Sequence, residues 1–122
     1  MAFAGALQAL WSDPSDSDAE MSWGVHDNPR GQDIATFGAD VTKAFCVREK
    51  IHVIVRSHQY VSEGYKCMHS GHLITVFSAR DYEARRQNCG ALLLACPDDS
   101  GAVRLRFKTL RSSFCNSVLV GV

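Results

Sequence analysis

The chain is 122 residues long, 46% hydrophobic, and carries 13 Lys or Arg against 13 Asp or Glu, so its formal charge is zero with neutral histidines. That is one ordinary globular domain's worth of chain, with no global field to draw it to nucleic acid or anionic lipid. The five cysteines, Cys46, Cys67, Cys89, Cys96 and Cys115, are odd in number and contain no CxxC pair, which argues against a disulfide framework or a thiolate zinc knuckle and for reduced thiols.

The opening MAFAGALQALW lacks the basic start of a signal peptide and runs at once into the acidic SDPSDSDAE. No run reaches the roughly 18 to 20 apolar residues of a membrane span. The expectation is a soluble chain, cytoplasmic or nuclear, with neither a membrane nor a nucleic-acid partner. Residues 2–10 predict a short helix, rich in Ala and Leu, that stops at Asp13-Pro14. From there to about residue 38 the chain is dense in Asp, Ser, Gly, Asn and Pro and reads as one long loop. Trp11, Trp23 and Phe37 are expected to anchor that loop by packing.

GADVTKAFCVREK predicts a helix with Asp40 as its N-cap, Val41, Ala44 and Phe45 at helical spacing, and Arg48 and Lys50 near its end. IHVIVRS is a β-branched run suited to the inside of a sheet, and it delivers His58 at its end. Tyr65–Met68 and Leu73–Phe77 flank HSGH and are expected to pair antiparallel across it. CGALLLAC and AVRLRF form a second expected hairpin across PDDSG. The sum is an α/β (α+β) chain: about one helix followed by about five largely antiparallel strands, with no internal repeat.

A histidine at the end of an apolar strand stands where α/β folds gather ligands, so His58 reads as a metal ligand, an acid–base group, or simply a packed imidazole. Cys67, His69 and His72 lie near one turn, but no further ligand at zinc-finger spacing accompanies them. Arg56, just before His58, reads as structural.

VIVRSHQYVSEGY followed by LITVFSARDY resembles the C-terminal part of the phosphoprotein phosphatase family of metal-dependent Ser/Thr phosphatases. LWSDP and RGQDIATFGADV upstream, and NCGALLL and RLRFKTL downstream, are similar to further motifs of that family and fall in the same order. RGQDIATFG is one residue longer than the family's usual spacing, and FSARDY has Arg-Asp where many members have Pro-Asn or Ser-Asn. The resemblance implies the C-terminal half of a calcineurin-like metallophosphatase β-sandwich, a single partial domain over 1–122 with its core at 10–110 and an apolar tail at 111–122. It implies that His58 is a metal ligand, that Arg30 and Tyr82 bind the substrate phosphate, and that Asp13 lies beside the cleft without a chemical step.

The resemblance also implies two divalent metals, Mn, Fe or Zn, in an intact site, and a phosphoprotein substrate. The family's remaining ligands come from GDxHG, GDxVDRG and GNHE motifs upstream of LWSDP, and none is present in these 122 residues. The expectation is therefore at most one weak metal site through His58 and no catalysis by this chain alone. On that view it is a truncated product, or a segment working beside a complementing N-terminal chain or a regulatory subunit, or prone to self-association through uncovered apolar faces. The alternative is a noncatalytic binding module descended from a phosphatase.

Overall fold

A computed structural model of the chain describes residues 2–83 and 87–112. It contains two helices, α1 (Ala2–Trp11) and α2 (Ala39–Glu49), and eight strands, β1 (Asp13–Pro14), β2 (Val25–Asn28), β3 (Gly31–Phe37), β4 (Ile54–Arg56), β5 (Tyr65–Met68), β6 (Leu73–Val76), β7 (Gly90–Pro97) and β8 (Val103–Leu110). The fold is mixed α/β, and from α2 onward it is one helix followed by five strands, as the sequence patterns predict. No helix among the described residues is long and apolar enough to cross a membrane. The expected apolar tail lies, beyond Ser112, outside the described residues. By contacts the chain divides into two compact units, 1–58 with 67–75, and 59–66 with 76–122.

In the first unit the expected loop over 13–38 is instead a three-stranded sheet of order β1-β3-β2. β1 lies parallel to β3, pairing Asp13 with Thr36 and Pro14 with Phe37, and β2 lies antiparallel to β3. The register shifts between Asp27, opposite Ala35, and Asn28, opposite Gly31, so residues 32–34 have no partner on β2. Such a bulge absorbs extra chain without disturbing the pairing on either side.

Asp40 does not cap α2. The N-cap is Gly38, which has no side chain to offer, and the Asp40 carboxylate accepts from the backbone N–H of Gly24 at 2.9 Å. The capping expectation fails because the chain between β3 and the helix is too short to place Asp40 ahead of the first turn. α2 buries Thr42 and Cys46, four residues apart on one face, and ends at Lys50 in the left-handed conformation, φ 55°.

β4 pairs parallel with β6, Ile54 opposite Leu73 and Arg56 opposite Thr75, in a sheet of order β4-β6-β5. HSGH is not a two-residue hairpin turn but a 3-10 turn, His69–Gly71. Its left-handed residues, His69 at φ 51° and Ser70 at φ 55°, aim their N–H groups at the Asp18 carboxylate, 3.1 and 2.8 Å away. The His69 ring is 1% exposed. Its Nε2–H donates to the Ser15 carbonyl at 3.1 Å and its Nδ1 accepts from the Thr42 hydroxyl at 2.7 Å. Both ring nitrogens are thus committed to the core, joining three segments far apart in sequence.

In the second unit β7 and β8 form the expected antiparallel hairpin, Gly90 opposite Leu110 through Pro97 opposite Val103. Asp98 organises its turn: one oxygen accepts from Ser100 and the Ala102 N–H, the other from Arg104 at 3.0 Å, and these bonds hold its carboxyl below the usual carboxylate range. The motif segments EGY, VFSA and NCGA meet here backbone to backbone. Phe77 N–H donates to the Gly64 carbonyl at 2.7 Å, Cys89 N–H to Ser62 at 2.8 Å and Ala91 N–H to Phe77 at 2.9 Å.

Gly64 sits at φ +88°, and a Cβ there would stand 2.6 Å from the Gly90 carbonyl carbon. Gly64→Ala is expected to cost at least about 2 kcal/mol, backbone strain and a backbone clash together. Gly101→Ala, also at positive φ (+82°) but facing open space, carries the strain alone, about 1 kcal/mol. Urea unfolding of the two variants checks this, and equal losses would contradict the close approach.

Candidate functional site

The carboxylate of Asp13, delivered by β1 and only 7% exposed, is the centre of the candidate site. Its Oδ1 accepts from Arg30 Nη1 at 3.0 Å and from Arg56 Nη2 at 3.1 Å, and its Oδ2 accepts from Asn28 Nδ2 at 3.1 Å. Arg30 comes from the turn between β2 and β3, where its own N–H bonds the Asn28 side chain at 2.9 Å. Arg56 closes β4 and also donates to the Ser12 carbonyl at 3.3 Å. Burial pulls the Arg56 guanidinium below its ordinary value, Asp13 opposes that by attraction and hydrogen bonding, and Arg30 repels it. Two guanidiniums share this one carboxylate.

His58 follows β4 with φ 71°, a left-handed conformation uncommon for a residue with a Cβ. That twist turns its carbonyl toward Arg30, whose Nη2 and Nη1 stand 3.3 and 3.4 Å from the oxygen. Its ring Nδ1 lies 3.1 Å from the Leu10 carbonyl and donates to it, so the Nε2 lone pair is the one left to accept. The ring meets Trp11 edge to face, centroids 4.4 Å apart, and the Arg30 guanidinium lies 5.1 Å from the centre of the same indole. An open hollow of about 420 Å³, lined by Ala9, Leu10, Trp11, Arg56, Ser57 and His58, lies beside this cluster.

The first unit thus brings Asp13, Arg30 and His58 together. Tyr82 belongs to the second unit: its ring is 60% exposed and packs edge on to Phe77 at 5.2 Å, and its N–H donates to the buried Asn88 side chain at 2.8 Å. Chemically, the cluster presents a one-third-exposed arginine whose Nη groups are held by Asp13 and the His58 carbonyl, a guanidinium of the kind suited to an oxyanion, beside an imidazole whose Nδ1 is tied to the Leu10 carbonyl. His58 fits a metal as a single ligand on these grounds. Among the described residues no group of three His, Cys, Asp or Glu side chains comes together to hold an ion.

Sequence reasoning did not place Trp11, Asn28 or Arg56 in this cluster, although it read Trp11 as packing and Arg56 as structural. Trp11 packs, as expected, but its partners are His58 and Arg30, which rest on its ring, and it remains 39% exposed. Asn28 and Arg56 complete the shell of Asp13. The available signal was charge balance: one aspartate in WSDP against single arginines in NPRG and RSH.

Asp13→Asn is expected to destabilise the chain by about 2–3 kcal/mol in urea unfolding, because it removes the carboxylate charge that both the mostly buried Arg56 and Arg30 bond. Arg30→Ala removes a partner that is 33% exposed and should cost less than about 1 kcal/mol. If the two variants unfold at the same urea concentration, Asp13 does not organise the site.

No family model matches the chain. It is 40% identical over 88 residues, 72% of its length, to the Serine/threonine-protein phosphatase BSL2 of Arabidopsis thaliana, of which those residues are 8%. It is 38% identical over 92 residues to Serine/threonine-protein phosphatase T of Aspergillus oryzae, 75% of this chain and 18% of that one. It is 41% identical over 86 residues to Serine/threonine-protein phosphatase 5 of Solanum lycopersicum, 70% and 14%. A solved serine/threonine phosphatase from Saccharomyces cerevisiae superimposes with a TM-score of 0.68 at 28% identity, over 84% of this chain and 32% of that one. The chain therefore spans less than a fifth of the curated relatives it matches. As a segment of that extent, it belongs to the serine/threonine protein phosphatase family.

Proposed function

We propose that these 122 residues are one partial domain, core 10–110, that supplies the phosphate-holding and one metal-holding part of a Ser/Thr phosphoprotein phosphatase site and is inactive without the rest. The observation that carries this reading is the single cluster in which Arg30, braced on Asp13, stands beside a His58 whose Nδ1 is fixed by the Leu10 carbonyl. In this reading Arg30 grips two oxygens of a phosphoserine or phosphothreonine phosphate, and Asp13 keeps its guanidinium from collapsing onto other acceptors. His58 holds a divalent metal, Mn, Fe or Zn, through Nε2, and the Leu10 carbonyl fixes the tautomer that presents that nitrogen. Divalent metals, when bound, withdraw charge from a phosphoryl group and acidify coordinated water. The Tyr82 hydroxyl is a second candidate donor to substrate phosphate.

With one histidine ligand the affinity for metal is weak, and turnover requires a complementing N-terminal chain, with any regulatory subunit acting on that assembly. The purified 122-residue chain should hydrolyse no phosphopeptide with added manganese, while Mn²⁺ broadens the His58 ring signals in NMR spectra and His58→Ala abolishes that broadening. Inorganic phosphate should bind weakly, and Arg30→Ala should weaken it by about tenfold or more. Hydrolysis that disappears in His58→Ala would refute the inactivity. A ring left sharp by manganese would refute the ligand role and favour a noncatalytic binding module.

A further inference from the structure

We infer that the outer face of the β7-β8 hairpin docks an extended acidic peptide whose alternate residues are apolar. Opposed residues of an antiparallel pair share a face. Leu92, Leu94 and Cys96 of β7 stand directly opposite Lys108, Arg106 and Arg104 of β8, so this face carries an apolar row and a basic row side by side. The other face holds Leu93, Leu105 and Phe107, all less exposed, with the Tyr65 ring stacked on Phe107 at 3.9 Å. Inward packing therefore does not account for the outer leucines, which remain 48% exposed each.

Of the three cations, Arg104 is paired with Asp98. Arg106 and Lys108 have no acidic partner among the described residues. The imbalance extends beyond the face: residues 59–66 and 76–122 carry eight Lys or Arg against five Asp or Glu, and the rest of the chain carries five against eight. A surplus concentrated in one unit of a neutral chain argues for an anionic partner at that unit.

The spacing selects the kind of anion. Cations at alternate positions of one strand repeat about every 6.7 Å, the repeat of alternate side chains on an extended peptide. A helical ligand returns to the same face every 5.4 Å or so and would fall out of step. A single-stranded nucleic acid also spaces its charges along a line, but it gains most of its affinity by stacking on aromatic rings, and this face offers leucines. A peptide alternating Glu with Leu sets carboxylates on Arg106 and Lys108 and leucines on Leu92 and Leu94.

The test is fluorescence anisotropy of a labelled peptide alternating Glu and Leu against the full 122-residue chain. A scrambled peptide of the same composition, a uridine oligonucleotide and phosphatidylserine vesicles serve as competitors. The alternating peptide should bind at least about tenfold more tightly than the scrambled one, weaken as salt rises, and lose about tenfold in Arg106→Gln/Lys108→Gln. Leu92→Ser/Leu94→Ser should weaken it while leaving the far-ultraviolet circular dichroism unchanged. Equal binding of the two peptides, indifference to the cation pair, or preferential displacement by the oligonucleotide or the vesicles would overturn the proposal. So would a dimer dissociated by Leu92→Ser/Leu94→Ser, which would assign the face to a second copy of the chain.

Discussion

One buried carboxylate sets the arrangement of the first unit. Asp13 is brought under two guanidiniums by a strand only two residues long, and that strand exists because Thr36 and Phe37 of β3 pair with it. A carboxylate so nearly removed from water is tolerable only when its lone pairs are filled, and two arginines and an asparagine fill them. The same bonds fix the turn bearing Arg30 and the end of β4, from which His58 emerges. Position in the sheet, ionic compensation and the geometry of the cluster are therefore consequences of one contact set rather than independent features.

The second unit is held differently, by backbone approach. Gly64 lies so close to Gly90, and Gly90 to the Ser78 backbone, that a Cβ fits at neither, and the hydrogen bonds of Ser62, Gly64, Phe77 and Ala91 accompany that proximity. The motif glycines of EGY and NCGA are thus explained by space rather than by chemistry at the site. The polar core of the first unit shows the same economy: His69, which resembles a candidate ligand in the sequence, spends both nitrogens joining Ser15 and Thr42.

Elements whose cause is local were legible in the sequence. The β-branched run of β4, the α2 periodicity and the Pro, Asp and Gly of the β7-β8 turn each declare themselves within a few residues. β1 and β2 did not, because Asp-Pro and Val-His-Asp-Asn have little strand preference of their own and become strands through β3, up to 23 residues away from β1. The parallel pairing of β4 with β6 was missed for a related reason, since a crossover leaves no turn signal. Within the site, His58 could be found from its place at a strand end, and Arg30 and Asp13 from the motifs around them. The ion pair between Asp13 and Arg56 spans 43 residues, and no spacing rule predicts it.

The backbone at His58 has a further implication. Its φ of 71° is a conformation in which glycine is at ease and an imidazole-bearing residue is strained by about 1 kcal/mol or more. Folding alone would favour glycine at this position. The chain carries there a residue whose backbone strain is set against what its ring contributes by resting on Trp11 and donating to the Leu10 carbonyl. A glycine there would relieve the backbone and at the same stroke remove the ring that Trp11 and the Leu10 carbonyl hold.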